Sequence, residues 1–120
     1  SLTARDMAKL GQLYLNKGKW AGVQVLPESW VEESLRMQVD LTPPGQPPAG
    51  YGYLWWILAP DPRGAGKALV YAARGRFGQF IFIVPEHDMV VAIQAQAQPG
   101  AETNKLMQLF YDRILTAVRR

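Results

Sequence analysis

Apolar residues recur at helical spacing in three segments of the chain, and each segment predicts a helix. The first covers residues 3–17, where Thr3 and Asp6 have the spacing of a capping box and Gly18 marks the end. The second covers residues 27–37 and the third covers residues 103–118. The residues expected on the buried faces of the second and third helices are Trp30, Val31, Leu35, Leu106, Leu109, Phe110, Ile114 and Val118.

Runs of apolar and aromatic residues between the second and third helices predict strands. These runs are residues 51–58, 68–73, 79–84 and 89–96. The last two are joined by a turn at residues 85–88, which has the length and composition of a hairpin loop. Residues 23–26 predict a shorter extended segment, and the prolines and glycines of residues 40–50 predict an exposed loop.

The last two strands indicate how the predicted sheet is covered. Residues 79–84 and 89–93 are apolar on both faces of their strands, so helices are expected on both sides of the sheet. The order of elements then predicts an α+β fold, in which an antiparallel sheet is flanked by the N-terminal and C-terminal helices. Residues 1–120 are expected to form a single domain, because a chain of this length can bury roughly two-thirds of its unfolded surface.

Composition narrows the range of functions. Hydrophobic residues make up 48% of the 120 residues and charged residues 19%, which is typical of a folded chain. The net charge of +3 comes from scattered basic residues without a basic stripe, so nucleic-acid binding is not expected. There is no cysteine and no cluster with metal-ligand spacing, and neither a metal nor another cofactor is expected. No apolar run approaches the ~18 residues of a membrane span, so no membrane-spanning segment is expected.

Residue types that are common in active sites are poorly placed for catalysis here. His87, the single histidine, falls in the predicted turn, where a solvated position is expected. Ser29 and Ser34 fall in the second predicted helix, outside any Gly-x-Ser-x-Gly or Ser-x-x-Lys pattern, so structural roles are expected. Residues 64–67, Gly-Ala-Gly-Lys, lack both the earlier glycine and the following Ser or Thr of a phosphate-binding loop.

Two glycines between adjacent predicted strands, Gly75 and Gly78, are candidates for a role of the backbone in catalysis. Their connection is longer than a two-residue hairpin turn, and glycine permits a positive φ or a close backbone approach. A backbone N–H at the end of a strand can form one half of an oxyanion hole, which stabilises charge that develops on a carbonyl oxygen. From spacing alone, an ordinary glycine-containing connection is the favoured interpretation and the oxyanion hole is the alternative.

Three stretches of the sequence carry a family resemblance over nearly the whole chain. They are LTARDMAKLGQLYLNKGKWAGVQVLPESWVEES, YGYLWW and ARGRFGQFIFIVPEHDMVVAI, in that order. Together they resemble the C-terminal portion of β-lactamase-related serine hydrolases. That group includes class C β-lactamases, D-alanyl-D-alanine carboxypeptidases, and the esterases and 6-aminohexanoate-dimer hydrolases that share their fold.

The resemblance implies a site at residues 73–79. Ala73-Arg74-Gly75 looks like the relaxed form of the family's third motif, so Gly75 and the backbone N–H of Arg76 are the expected catalytic positions, as an oxyanion hole. The expected substrate-binding residues are Ala73, Arg74, Phe77, Gly78 and Gln79. Phe77 stands where relatives commonly have a glycine, which is the departure of this site from the family pattern.

The two other motifs of the family are not matched. No Ser-x-x-Lys, the source of the nucleophile and its lysine, occurs in the sequence. Tyr14-Leu15-Asn16 spells the family's Tyr-x-Asn, but it lies inside the first predicted helix with Tyr14 on the apolar side. The chain is therefore expected to hold part of an active site without its nucleophile.

The resemblance implies that the chain is the C-terminal part of a longer hydrolase that cleaves an ester, amide or lactam through a serine acyl-enzyme. The helical pattern that begins almost at once after Ser1 favours the same interpretation. The isolated 120 residues are expected to be inactive. The alternative is a non-catalytic binding or interaction module that retains the fold.

The expected partner of the full-length protein is a small ester or amide substrate. Self-association through an exposed sheet edge or face is also expected, with Trp55, Trp56, Phe80 and Phe82 as candidates for the exposed surface. A bacterial source is expected, and both an exported and a cytoplasmic location fit the sequence.

Overall fold

The computed structural model describes residues 3–42, 44–45, 49–58, 70–75, 78–95, 101–115 and 117, except for the side chains of residues 101–104. The loop at residues 64–67 and the first two residues of the predicted strand 68–73 lie outside the described residues, as does Val118 of the last predicted helix.

The first helix, α1 (Ala4–Leu15), begins where the sequence predicts. Its capping box is formed, since the Asp6 N–H donates to Thr3 Oγ1 at 3.1 Å and the Thr3 N–H donates to Asp6 Oδ2 at 3.3 Å. Met7 and Gly11 are the buried residues of α1. A Cβ on Gly11 would lie 2.6 Å from Val90 Cγ1 and 2.8 Å from Ile81 Cγ2, so the glycine allows α1 to approach the sheet closely.

Residues 19–35 form a small hairpin and the second helix. Strands β1 (Lys19–Trp20) and β2 (Val23–Gln24) pair antiparallel around a two-residue turn in which both residues have a positive φ. Helix α2 (Glu28–Leu35) buries Val31 and Ser34. The expectation that Trp30 is buried is wrong: its side chain is 46% exposed and stacks on Tyr53 with the ring centroids 5.6 Å apart.

Six strands form the main sheet, and each pairs antiparallel with its neighbour in the chain. They are β3 (Val39–Asp40), β4 (Gly50–Tyr51), β5 (Trp56–Leu58), β6 (Val70–Gly75), β7 (Gln79–Val84) and β8 (Met89–Gln94), in that spatial order. Two predictions are corrected here. Residues 51–58 are not one strand, because the chain reverses between β4 and β5 and the Gly52 N–H donates to the Trp55 carbonyl at 2.8 Å. Residues 40–50 are not wholly loop, since β3 and β4 pair at their ends.

The last helix, α3 (Ala101–Leu109), continues as a π-helical segment, Phe110–Leu115, and the two together are called the C-terminal helix below. Phe110 and Leu115 are fully buried, and the Phe110 ring stacks on Phe82 with the centroids 3.9 Å apart. Leu109, expected on the buried face, is 44% exposed because the wider π turn rotates the face that meets the sheet.

The hydrophobic core lies on both faces of the sheet, as the apolar strands predict. One face packs against the C-terminal helix, and its buried residues are Val70, Ala72, Phe80, Phe82, Val84, Phe110 and Leu115. The other face packs against α1, and its buried residues are Met7, Trp55, Ile81 and Ile83. The fold is therefore α+β, with an antiparallel sheet between N-terminal and C-terminal helices.

The residues expected on an exposed apolar surface are mostly buried. Trp55 is 4% exposed, Phe80 1% and Phe82 0%, because α1 and the C-terminal helix already cover them within this chain. Trp56 is partly buried against the core.

Candidate functional site

A cleft of about 430 Å³ lies at the end of the sheet where β6, β7 and β8 meet. Its lining residues are Met7, Tyr51, Leu54, Trp56, Ala73, Arg74, Gly75, Gln79, Ile81 and Gln94. They come from α1, from the β4–β5 hairpin and from three neighbouring strands. Pockets of this size are typical of sites for small molecules.

The strand register brings the polar floor of the cleft together. Gly75 of β6 is the partner of Gln79 of β7, which is in turn the partner of Gln94 of β8. Because strand side chains alternate, these three residues share the face that carries Ala73 and Ile81. A Cβ on Gly75 would lie 3.0 Å from Gln79 Oε1, so the Gln79 side chain lies across the glycine. The absence of a side chain at Gly75 leaves room for this arrangement.

The other residues expected at the site are placed differently. Gly78 is buried, is not part of the cleft lining, and has a φ of +91°, which requires glycine. Its carbonyl accepts a hydrogen bond from the Ala95 N–H at 3.2 Å, which ties the turn after β6 to the end of β8. Arg76 and Phe77 lie outside the described residues. The structure therefore brings together Ala73, Arg74, Gly75 and Gln79.

Arg74 carries a positive charge at the edge of the cleft, on the face of β6 opposite to that of Gly75. Its guanidinium carbon lies 5.9 Å from the centroid of the Trp56 ring and 5.7 Å from that of Phe80, within the range of cation–π attraction. No Asp or Glu belongs to the cleft lining among the described residues. The aromatic contacts hold the guanidinium beside the cleft without neutralising it.

The β4–β5 hairpin supplies one wall of the cleft. The Tyr53 N–H donates to the Ser34 carbonyl at 2.8 Å, and Trp55 packs in the core with its ring 4.9 Å from that of Tyr14. Between these fixed points, Leu54 has a φ of +68° and is 79% exposed.

Residues that could act as a nucleophile or base lie elsewhere or are engaged in structure. Ser34 is buried, and its hydroxyl donates to the Trp30 carbonyl at 2.7 Å, as a helical serine often does. His87 lies in the 3₁₀ turn beside the Val84–Met89 pair, about 16 Å along β7 from the Gln79–Gln94 pair. Tyr14 and Leu15 form the last residues of α1 and Asn16 is its C-cap, so this Tyr-x-Asn triplet lies at the end of a helix.

Tyr71 lies on the α1 side of β6 and is not part of the cleft lining. Burial raises the pKa of its phenol above the usual range, so it is protonated at neutral pH and is no phenolate base. Across the described part of the chain, no group of three or more His, Cys, Asp or Glu side chains is arranged to hold a metal ion. None of the described helices has the length and apolarity needed to cross a bilayer.

Six of the residues that line the cleft were not predicted from the sequence as site residues. They are Met7, Tyr51, Leu54, Trp56, Ile81 and Gln94. Ile81 and Gln94 could have been found from strand alternation and from counting the β7–β8 hairpin register back from its turn. Met7 and the β4–β5 residues carry no such local signal, because their positions depend on how α1 and the hairpin pack.

Comparisons with known proteins agree with this architecture. The family model of Beta-lactamase matches residues 1–114 of the chain. A solved structure from Bacillus anthracis, described as "Putative 6-aminohexanoate-dimer hydrolase", is 32% identical, with a TM-score of 0.66, over 98% of this chain and 29% of that chain. This chain thus spans less than a third of that structure's length. Comparison with curated proteins gives no match. On the family match over residues 1–114, the chain belongs to the β-lactamase family and is related to its hydrolases.

Proposed function

We propose that residues 1–120 form the oxyanion side and one wall of the substrate cleft in a serine hydrolase that cleaves an ester, amide or lactam. The nucleophile and its lysine come from a part of the protein outside these residues. The 120 residues alone do not hydrolyse such substrates.

The observation that carries this proposal is the cleft at the ends of β6, β7 and β8. Four residues that the family resemblance assigns to the site line it together: Gly75 as a catalytic position, and Ala73, Arg74 and Gln79 as substrate-binding residues. Hydrolysis through an acyl-enzyme needs a nucleophile, a base and oxyanion donors at one place, and the proposal assigns an oxyanion donor to the chain that follows Gly75.

The proposed roles follow from the chemistry of acyl transfer. A serine attacks the substrate carbonyl, and negative charge develops on the carbonyl oxygen as the tetrahedral intermediate forms. The Arg76 N–H donates a hydrogen bond to that oxygen, and Gly75 has no side chain to obstruct its approach. The amine or alcohol leaves with a proton, and water then hydrolyses the acyl-serine ester.

The proposed substrate class is inferred from the structural neighbour and from the matching family. The structural neighbour's description names a hydrolase of 6-aminohexanoate dimers, whose scissile bond is an amide, and the matching family is named for lactam cleavage. A carbonyl carrying a nitrogen or oxygen leaving group is common to these substrates and to the simple esters used as probes.

The proposal is tested by assaying two proteins, the isolated 120 residues and the longest natural protein that contains them. Hydrolysis of p-nitrophenyl acetate and nitrocefin is measured, and covalent labelling by a fluorophosphonate is located by mass spectrometry. The longer protein should hydrolyse a probe and carry the label on a serine outside residues 1–120, and the isolated residues should do neither.

Two results would overturn the proposal. One is turnover by the isolated residues that disappears in Ser29→Ala or Ser34→Ala. The other is a longer protein without serine-dependent hydrolysis or label, which would instead support a non-catalytic interaction module with the same fold.

A further inference from the structure

Leu54 has an unusual combination of properties. Its φ of +68° lies in the left-handed region, which a branched apolar residue rarely adopts. Its side chain is 79% exposed, the largest exposed fraction among the exposed large hydrophobic residues of the described chain. The same side chain lines the cleft.

The backbone conformation at Leu54 is imposed by its neighbours. The Gly52 N–H donates to the Trp55 carbonyl and the Tyr53 N–H donates to the Ser34 carbonyl, each at 2.8 Å. A Cβ on Gly52 would collide with that same Ser34 carbonyl oxygen, so the turn is pressed against the end of α2. Trp55, on the other side of Leu54, is 4% exposed. Strained residues persist where the surroundings fix them in this way, and they concentrate at functional sites.

Packing does not account for a leucine at this position. Its side chain lies outside both core clusters and largely in water. Glycine or asparagine would relieve the strain at a left-handed position without removing any core contact. The property that distinguishes leucine from these two residues is its apolar surface at the cleft.

The cleft lining separates into a polar part and an apolar part. The polar part is Gln79 and Gln94, on the same face as Gly75, together with Arg74, whose guanidinium lies toward Trp56 and Phe80. The apolar part comes from α1, β7 and the β4–β5 hairpin, and consists of Met7, Tyr51, Leu54, Trp56 and Ile81. A substrate whose carbonyl lies at Gly75 can therefore extend an apolar chain along the hairpin wall.

We infer that Leu54 is a specificity-determining residue that contacts an unbranched aliphatic acyl chain of the substrate. The inference rests on the proposed hydrolase function and adds to it the kind of acyl group that is accepted. Its physical basis is the burial of an otherwise exposed leucine side chain when the acyl chain binds.

The test uses the full natural protein and two esters, p-nitrophenyl acetate and p-nitrophenyl hexanoate. Leu54→Gly and Leu54→Ala both remove the side chain, and only Leu54→Gly also removes the strain. Each variant should lower the ratio of kcat/KM for hexanoate to that for acetate by about tenfold, the discrimination typical of apolar contacts in a pocket. Leu54→Gly should also raise Tm by roughly 2–4 °C, and Leu54→Ala should not.

Leu41→Ala is the matched control, since Leu41 is an exposed leucine, 51% accessible, that is not part of the cleft lining. It should change neither the ratio nor Tm. Measurable hydrolysis of both esters with an unchanged ratio in Leu54→Gly and Leu54→Ala would overturn the inference and leave the hydrolase proposal standing.

Absence of ester hydrolysis in the wild-type protein would overturn the hydrolase proposal instead, and binding then decides the role of Leu54. Hexanamide and acetamide are titrated by calorimetry into the wild-type protein and Leu54→Gly. A preference for hexanamide that Leu54→Gly loses by about tenfold supports the inference. Equal affinity of the two proteins for hexanamide contradicts it.

Discussion

The six residues of β7 alternate between two faces of the sheet that serve different purposes, three residues on each face. Toward the C-terminal helix, Phe80, Phe82 and Val84 are almost wholly buried and continue into the stacked rings of Phe82 and Phe110. Toward α1, Ile83 and Ile81 are buried, but the strand ends on Gln79 in an open cleft. The face toward the C-terminal helix is buried along the whole strand. The face toward α1 is buried at Ile83 and Ile81 but ends at the cleft with Gln79. Alternation along one strand thus allows the site to be polar without weakening the core behind it.

The largest expected effect is on the closed face. Phe82→Ala should lower the free energy of unfolding by about 3–5 kcal/mol, because it removes a fully buried ring and leaves a cavity beside Phe110. Chemical denaturation followed by fluorescence measures this loss. Gln79→Ala, on the open end of the same strand, is the control and should change stability by no more than about 0.5 kcal/mol. Equal losses in the two variants would show that the faces do not differ as described.

Substitutions at the open end of the sheet should change the rate of hydrolysis and not the stability of the fold. In the full natural protein, Arg76→Pro removes the N–H proposed to bind the oxyanion, and kcat for p-nitrophenyl acetate should fall about 10²–10³-fold. Arg76→Ala keeps the N–H and removes the side chain, so its kcat should stay much closer to wild type. A similar kcat in the two variants, with Tm values unchanged, would contradict the proposed oxyanion role.

The smallest expected effects compare two glycines on the α1 side. Gly11→Ala should lower the free energy of unfolding by about 1 kcal/mol, since overpacking against Val90 and Ile81 costs more than the gain in helix propensity. Gly75→Ala meets only the exposed Gln79 side chain, at 3.0 Å from its Oε1 and 3.1 Å from its Cβ, and should change stability by about 0.5 kcal/mol or less. Thermal denaturation of both variants checks the difference. A larger loss for Gly75→Ala would mean that the open end of the sheet is as tightly packed as the helix contact.

The regular parts of the fold could be predicted from local patterns. The capping box fixed the start of α1, and two-faced apolar strands indicated helices on both sides of the sheet. The reversal of the chain between β4 and β5 could not be predicted in this way. Leu54 has the left-handed conformation there, and no glycine or asparagine at that position indicates a turn. Trp30 was misassigned for a related reason: its partner, Tyr53, lies in that same unpredicted turn.

The candidate site also has one part that the sequence predicts and another part that it does not. Ala73, Arg74, Gly75 and Gln79 lie on consecutive strands, so a family motif could locate them. The apolar wall opposite them depends on where α1 and the β4–β5 hairpin pack, and no short stretch of sequence determines that position. Tertiary packing, and not motif spacing, shapes that side of the cleft.

Strand β8 has a consequence for how this protein behaves outside its native surroundings. Among the described strands it pairs only with β7, and its sequence, Met-Val-Val-Ala-Ile-Gln, contains no charge, proline or glycine. In natural proteins, charged residues or proline on an edge strand usually prevent that strand from pairing with another molecule. We therefore expect residues 89–93 to accept an added strand, from elsewhere in a longer chain or from a second copy. Without such a strand, the protein should form concentration-dependent dimers or larger aggregates by sheet extension, which sedimentation at increasing concentration measures.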